Sequence, residues 1–301
     1  MKPEIKIERI LFATDFLENS RLSLDYAVCL AQKFGATIIM LHVVQLSQAA
    51  KEAELEISGP SVTRKAAEQR LEKLAEGVRR LDIPVDVHVV DGFVCETVIA
   101  SVRTYRADLL VLGTHGVHRG LDHFLIGSNT EKILLAAECP TLTVGAHVLS
   151  GFDLEEHLKE IMYFSDFTPE ATAAAPVALF LGKQFSVPVD TCLLLPSESG
   201  SNEKLRQMLT ERYCESMKDA VGDDDVDWCT PAFQLDRGME LDQMMDRAES
   251  QDAGLIVLGV HGESQLGRHL HTSFAYQVLA KATCPVVTVR KTPSADERLR
   301  L

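Results

Sequence analysis

The chain has 301 residues, 46% of them hydrophobic and 25% charged, values that suit two globular domains of about 150 residues each. Its net charge of −14 argues against nucleic acid or an anionic membrane as a general partner, because phosphate contacts need surplus Lys and Arg. No apolar run is long enough to span a bilayer, the opening MKPEIKIERI is charged rather than leader-like, and the seven cysteines form no CxxC pair, so a reduced, cytoplasmic protein is expected.

In chain order, ERILFAT is apolar and β-branched enough for a buried strand that stops at Asp15. Residues 20–34 carry Leu22, Leu24, Ala27, Leu30 and Ala31 at helical spacing, and Gly35 follows as a stop. ATIIMLHVV is the second strand. Residues 62–81 form a charged amphipathic helix with Ala66, Leu71, Leu74, Ala75 and Val78 as its buried stripe. VDVHVV, a helix over 95–105, DLLVLG, a helix over 128–137 and TLTV complete the series. The second half predicts strands at IMYFS, VDTCLLL, CTPAFQL, LIVLG and VVTVR, with helices near 169–184, 203–220, 238–250 and 273–281.

The two halves are copies. ADLLVLGTHG (107–116) returns as AGLIVLGVHG (253–262), with seven of ten positions identical at an offset of 146. ILFATDF (10–16) returns as IMYFSDF (161–167), and CPTLTV (139–144) as CPVVTV (284–289). A period this long makes each copy a complete domain rather than a solenoid unit. The expected boundaries are 1–147 and 158–292, with a linker over 148–157 and a polar tail over 293–301. Cys139 and Cys284, at equivalent places before a proline, are expected to be buried thiols. Strands alternating with helices imply a parallel sheet with right-handed crossovers and helices on both faces. Ligands in such sheets bind beyond the carboxyl ends of the strands, where the strand order reverses.

Those strand ends carry the candidate chemistry. Gly113 and Gly116 close the fourth strand as G-T-H-G around His115, and Gly127, Ser128 and Asn129 open the next helix. Glycines allow close backbone approach, and a helix start offers N–H groups to a phosphate. Asp15, leaving the first strand, could accept a hydrogen bond from a base or ribose across the crevice, which together describes a mononucleotide site. The plainer alternative has turn glycines, Ser128 as an N-cap and Asp15 capping the first helix. Spacing alone leaves both open.

ILFATDF, the G-x-x-G pair, the later Gly-Ser and the closing CPTLTV strand resemble the universal stress protein family over nearly the whole chain. The resemblance implies two tandem Rossmann-like α/β domains, each a five-stranded parallel sheet with helices on both faces. One subgroup of that family binds ATP through Gly, two residues, Gly, nine residues, Gly, then Ser or Thr. By that likeness Asp15 would contact adenine, the backbone near Val43 would lie beside the base, and Gly113, Gly116, Gly127, Ser128 and Asn129 would cradle phosphates, with Mg²⁺ offsetting their charge. The corresponding residues of the second copy are Asp166, Gly259, Gly262 and Ser273. Ten residues rather than nine separate Gly116 from Gly127, and Thr272 replaces the third glycine of the second copy. If that position needs a left-handed backbone, a β-branched residue there costs about 1–2 kcal/mol, which favours the first copy.

The leading expectation is a cytoplasmic stress-response regulator that binds adenine nucleotide in its first domain and is not chiefly an enzyme. A scaffold acting through dimerisation without nucleotide is the alternative. A slow ATPase, with Asp122 or His123 orienting water, is a third reading that lacks a general base or catalytic lysine. The resemblance also implies that the two fifth strands meet in an internal pseudo-dimer, with a further homodimer open and the protein partner unidentified.

Overall fold

The computed structural model describes residues 5–45, 60–114, 126–148, 154, 158–165, 168–193, 203–221, 241–250, 252–260 and 274–291. Contacts divide them between a first unit running to Val144 and a second from Gly145 onward.

The first unit contains β1 (Arg9–Ala13), α1 (Glu18–Phe34), β2 (Thr37–Gln45), α2 (Pro60–Arg79), β3 (Val85–Gly92), α3 (Val94–Thr104), β4 (Leu109–Gly113), α4 (Ser128–Ala136) and β5 (Thr141–Val144). Its sheet is parallel throughout, in the order β3-β2-β1-β4-β5. The order reverses between β1 and β4, so a crevice opens beyond Ala13 and Gly113.

Each element follows from its residues. Ile10, Leu11 and Phe12 of β1 are fully buried, as the continuous apolar run demands of a strand covered on both faces. α1 ends at Gly35, whose φ of 64° lets its N–H reach the Ala31 carbonyl. α2 buries Ala67, Leu71, Ala75 and Val78, whereas the expected Ala66 is exposed. The stripe runs through 67, 71, 75 and 78 because those positions share one face, and Ala66 lies about 100° away from Ala67. Leu11, Leu41, Val98, Leu110 and Ile133 meet in the core between the sheet, α3 and α4.

The second unit repeats the pattern with β6 (Glu160–Ser165), α5 (Pro169–Phe185), β7 (Val189–Leu193), α6 (Glu203–Val221), α7 (Leu241–Ser250), β8 (Ala253–Val260), α8 (Phe274–Lys281) and β9 (Val286–Arg290). Its described strands are parallel in the order β7-β6-β8-β9. The expected CTPAFQL strand lies outside the described residues. Cys139 and Cys284 are buried, and burial pushes both thiols up to about 12. Among the described residues no helix is long and apolar enough to cross a membrane.

One core position differs in kind between the units. Ile10 pairs with Ile38 as Ile161 pairs with Val189, so Asp190 takes the register place of Ile39. Its carboxylate accepts from Arg247 of α7 at 2.6 Å, with the side chains only 6% and 12% exposed. Burial, and then the Asp190 charge, push the nearby Glu160 carboxyl above its usual range. Burial also raises the Cys192 thiol to about 11.

Candidate functional site

The turn from β1 into α1 is built by short-range hydrogen bonds. The Thr14 N–H donates to the Leu41 carbonyl at 2.9 Å, continuing the ladder one residue past β1. The buried Thr14 Oγ1 accepts the Phe16 N–H at 2.9 Å and lies 3.0 Å from Ser20 Oγ. Asp15 Oδ1 accepts the Leu17 N–H at 2.8 Å, an Asx turn ahead of the helix. The helix cap itself is Leu17, which supplies no side-chain acceptor and is 57% exposed. Asp15 therefore organises the turn and does not occupy the cap.

Phe16 has φ of 65°, in the left-handed region that bulky residues avoid. Its ring centroid lies 4.4 Å from that of His42, and the Arg70 guanidinium sits over the ring, 4.6 Å from its centroid. Arg70 also donates to the Phe16 carbonyl at 3.0 Å. His42 Nδ1 lies 2.8 Å from the Thr14 carbonyl oxygen. A carbonyl only accepts, so Nδ1 carries the hydrogen in this pair.

At the end of β4, Gly113 is set by packing. A Cβ there would stand 2.7 Å from the Asn19 carbonyl carbon and 2.9 Å from the Ser20 nitrogen, so only glycine admits the start of α1 this closely. Asn19 Nδ2 donates to the Thr114 carbonyl at 2.6 Å and locks the same approach. Gly259 repeats the arrangement in the second unit, where a Cβ would meet Glu170 and Ala171 backbone atoms at 2.3–2.4 Å.

Gly127 corrects an assumption. Its φ is −60° and ψ 142°, ordinary extended backbone, and it is the cap residue of α4. Ser128 is thus the first helical residue rather than the N-cap, and it is exposed. The left-handed backbone on which the preference for the first copy rested is therefore not found at Gly127. Thr272 itself lies outside the described residues.

A cavity of about 380 Å³ opens in the crevice of the first unit. Asp15 and Val43 line it from the ends of β1 and β2, Gly113 from β4, and Asn129 from the first turn of α4. Four sequence-predicted residues are thus brought together, while Gly127 and Ser128 precede Asn129 and do not line the cavity. His115, Gly116, Asp122, His123, Asp166, Gly262 and Ser273 lie outside the described residues. Sequence reasoning missed Thr14, Ser20, His42, Gln45 and Thr130, which also line the cavity. Thr14, His42 and Thr130 each adjoin a residue that was chosen, so the same strand-end and helix-start argument could have reached them.

The lining mixes apolar side chains, among them Leu41, Val98 and Ile133, with hydroxyl, carboxylate, imidazole and amide groups. This mixture suits a flat, partly apolar molecule carrying hydrogen-bonding edges. The N-terminal turn of α4 brings unsatisfied N–H groups and the positive end of a helix dipole beside it.

With that geometry in view, the sequence profile of the universal stress protein family matches residues 6–145 and again 157–290. The chain belongs to the universal stress protein family, as two tandem Rossmann-like domains. Universal stress protein A homolog 1 of Coxiella burnetii is 33% identical over 139 residues, 46% of this chain and 95% of that protein. Universal stress protein MJ0531 of Methanocaldococcus jannaschii is 24% identical over 140 residues, 46% of this chain and 81% of that protein. The crystal structure of a universal stress protein from Archaeoglobus fulgidus DSM 4304 has the same fold, with a TM-score of 0.72 at 17% identity over 97% of this chain and 99% of that one.

Proposed function

We propose that this universal stress protein binds adenine nucleotide, ATP with Mg²⁺, in its first domain and acts as a cytoplasmic stress-response regulator. The observation that carries this reading is the cavity at the strand-order reversal, lined by Asp15, Val43 and the first turn of α4. Asp15 and the backbone at Val43 would hold the base and ribose. The N–H groups at Ser128 and Asn129 would face the phosphates, whose charge the helix start favours. Volume supports a nucleoside: about 380 Å³ lies within the roughly 300–1,000 Å³ of small-molecule pockets.

One observation favours the rival scaffold reading. Gly113 is fully accounted for by the approach of α1, so its presence is no evidence for a phosphate loop. The deciding experiment is calorimetric titration of the full chain with ATP and Mg²⁺, beside quantification of nucleotide released on denaturing the fresh protein. The expected result is about one equivalent of adenine nucleotide per chain, lost in Asp15→Ala with the melting temperature nearly retained. A chain that carries none and binds none would overturn the nucleotide reading and leave the scaffold reading in its place.

A further inference from the structure

The backbone around Asp15 is held by hydrogen bonds from several parts of the first domain. The peptide plane preceding it is fixed by His42 Nδ1–H donating to the Thr14 carbonyl at 2.8 Å. The following plane is fixed by the Phe16 N–H donating to Thr14 Oγ1 at 2.9 Å. Arg70 fixes the third plane through the Phe16 carbonyl at 3.0 Å, and the N–H of that same plane, on Leu17, grips Asp15 Oδ1 at 2.8 Å. Three successive planes are therefore pinned by Thr14 of the turn itself, His42 of β2 and Arg70 of α2.

Phe16 is the residue that suffers for this. Its φ of 65° is unfavourable for an aromatic side chain, and its ring is in contact with both His42 and Arg70. Strain of this kind survives where the surroundings over-determine it, and such places cluster at ligand sites. Arg70 is exposed, so core packing does not account for it. Among the described residues of the second domain, Leu193 stands at the register place of His42 and has no side-chain donor for a carbonyl.

We propose, on the nucleotide reading above, that Arg70, Phe16 and His42 are positioning residues that preorganise the Asp15 carboxylate at the cavity before ligand arrives. None of them needs to touch the nucleotide in this role. Arg70 acts through the Phe16–Leu17 peptide, and the benefit is that the turn loses little freedom on binding.

The test uses the full chain and compares wild type, Arg70→Met and Arg70→Lys. Met keeps the apolar stem and removes the donor and the charge; Lys restores one donor and the cation over the ring. The expected result is a roughly tenfold loss of ATP affinity in Arg70→Met, partly recovered in Arg70→Lys. The unliganded melting temperature should barely move, and amide exchange at Leu17 should quicken in Arg70→Met without ATP present. A merely structural arginine would lower the melting temperature and leave both the affinity and the Leu17 exchange alone, which overturns the proposal. Equal ATP affinity in wild type and Arg70→Met overturns it as well. A wild-type chain that binds no ATP overturns the nucleotide reading, and the two failures are thereby told apart.

Discussion

The two domains enter their first helices differently. In the second, Thr168 caps α5 by accepting the Ala171 N–H at 3.2 Å, and Pro169 supplies a preset first helical residue. In the first, the equivalent Leu17 offers no cap, Phe16 is strained, and the hold on the chain comes from Asp15 and the distant Arg70. The second helix start has a side-chain cap; the first has an exposed leucine at that place and a strained Phe16 beside a carboxylate that lines a cavity. Gly113 and Gly259, by contrast, admit the helix backbone in the same manner in both. Among the described residues, the shared glycines serve the fold, and the copies differ at the helix cap and at the Asp190–Arg247 pair in the core.

The largest effect should come from the core difference. Arg247→Met leaves the buried Asp190 carboxylate without its cation and should destabilise the second domain by about 3–5 kcal/mol. Converting both residues toward the first domain, as Asp190→Ile with Arg247→Ser, should recover most of that loss, because Ile39 and the buried Ser101 occupy these places there. Denaturant midpoints of the single and double variants measure the difference. A double variant no better than the single one would mean that the second core depends on its ion pair.

Next in size is the glycine pair. Gly259→Ala should cost about 1–3 kcal/mol, and Gly113→Ala somewhat less, since the closest backbone contact is 2.3 Å in one case and 2.7 Å in the other. Equal losses, read from thermal melting of the two variants, would show that the helices adjust alike.

The smallest effect concerns the caps. Thr168→Ala should lower stability by about 1 kcal/mol, whereas Leu17→Thr should raise it by a few tenths to about 1 kcal/mol. If Leu17→Thr is destabilising, the Asx turn at Asp15 already satisfies the helix start and the contrast between the domains is smaller than their geometry implies.

Most of the architecture was legible in the chain itself. The copied segments at 10–16, 107–116 and 139–144 established two tandem α/β domains, because a buried parallel strand must be a continuous apolar run and a helix must carry a 3.6-residue stripe. The place of the candidate cavity followed from the same rules, since strand-end residues gather where strand order reverses, and Asp15, Val43, Gly113 and Asn129 line one cavity. Ala66 was misassigned because neighbouring alanines are indistinguishable to a periodicity of small residues.

What only the tertiary structure decided is the work each residue does. The backbone angles at Gly127 depend on how α4 begins, and the packing role of Gly113 depends on where Asn19 comes to rest. Phe16, His42 and Arg70 lie 26 and 28 residues apart along the chain and meet only because β2 and α2 fold back beside the first turn. Local pattern determines which elements form, since it depends on neighbours a few residues away; the pinning of Asp15 depends on contacts that exist only once distant elements have packed.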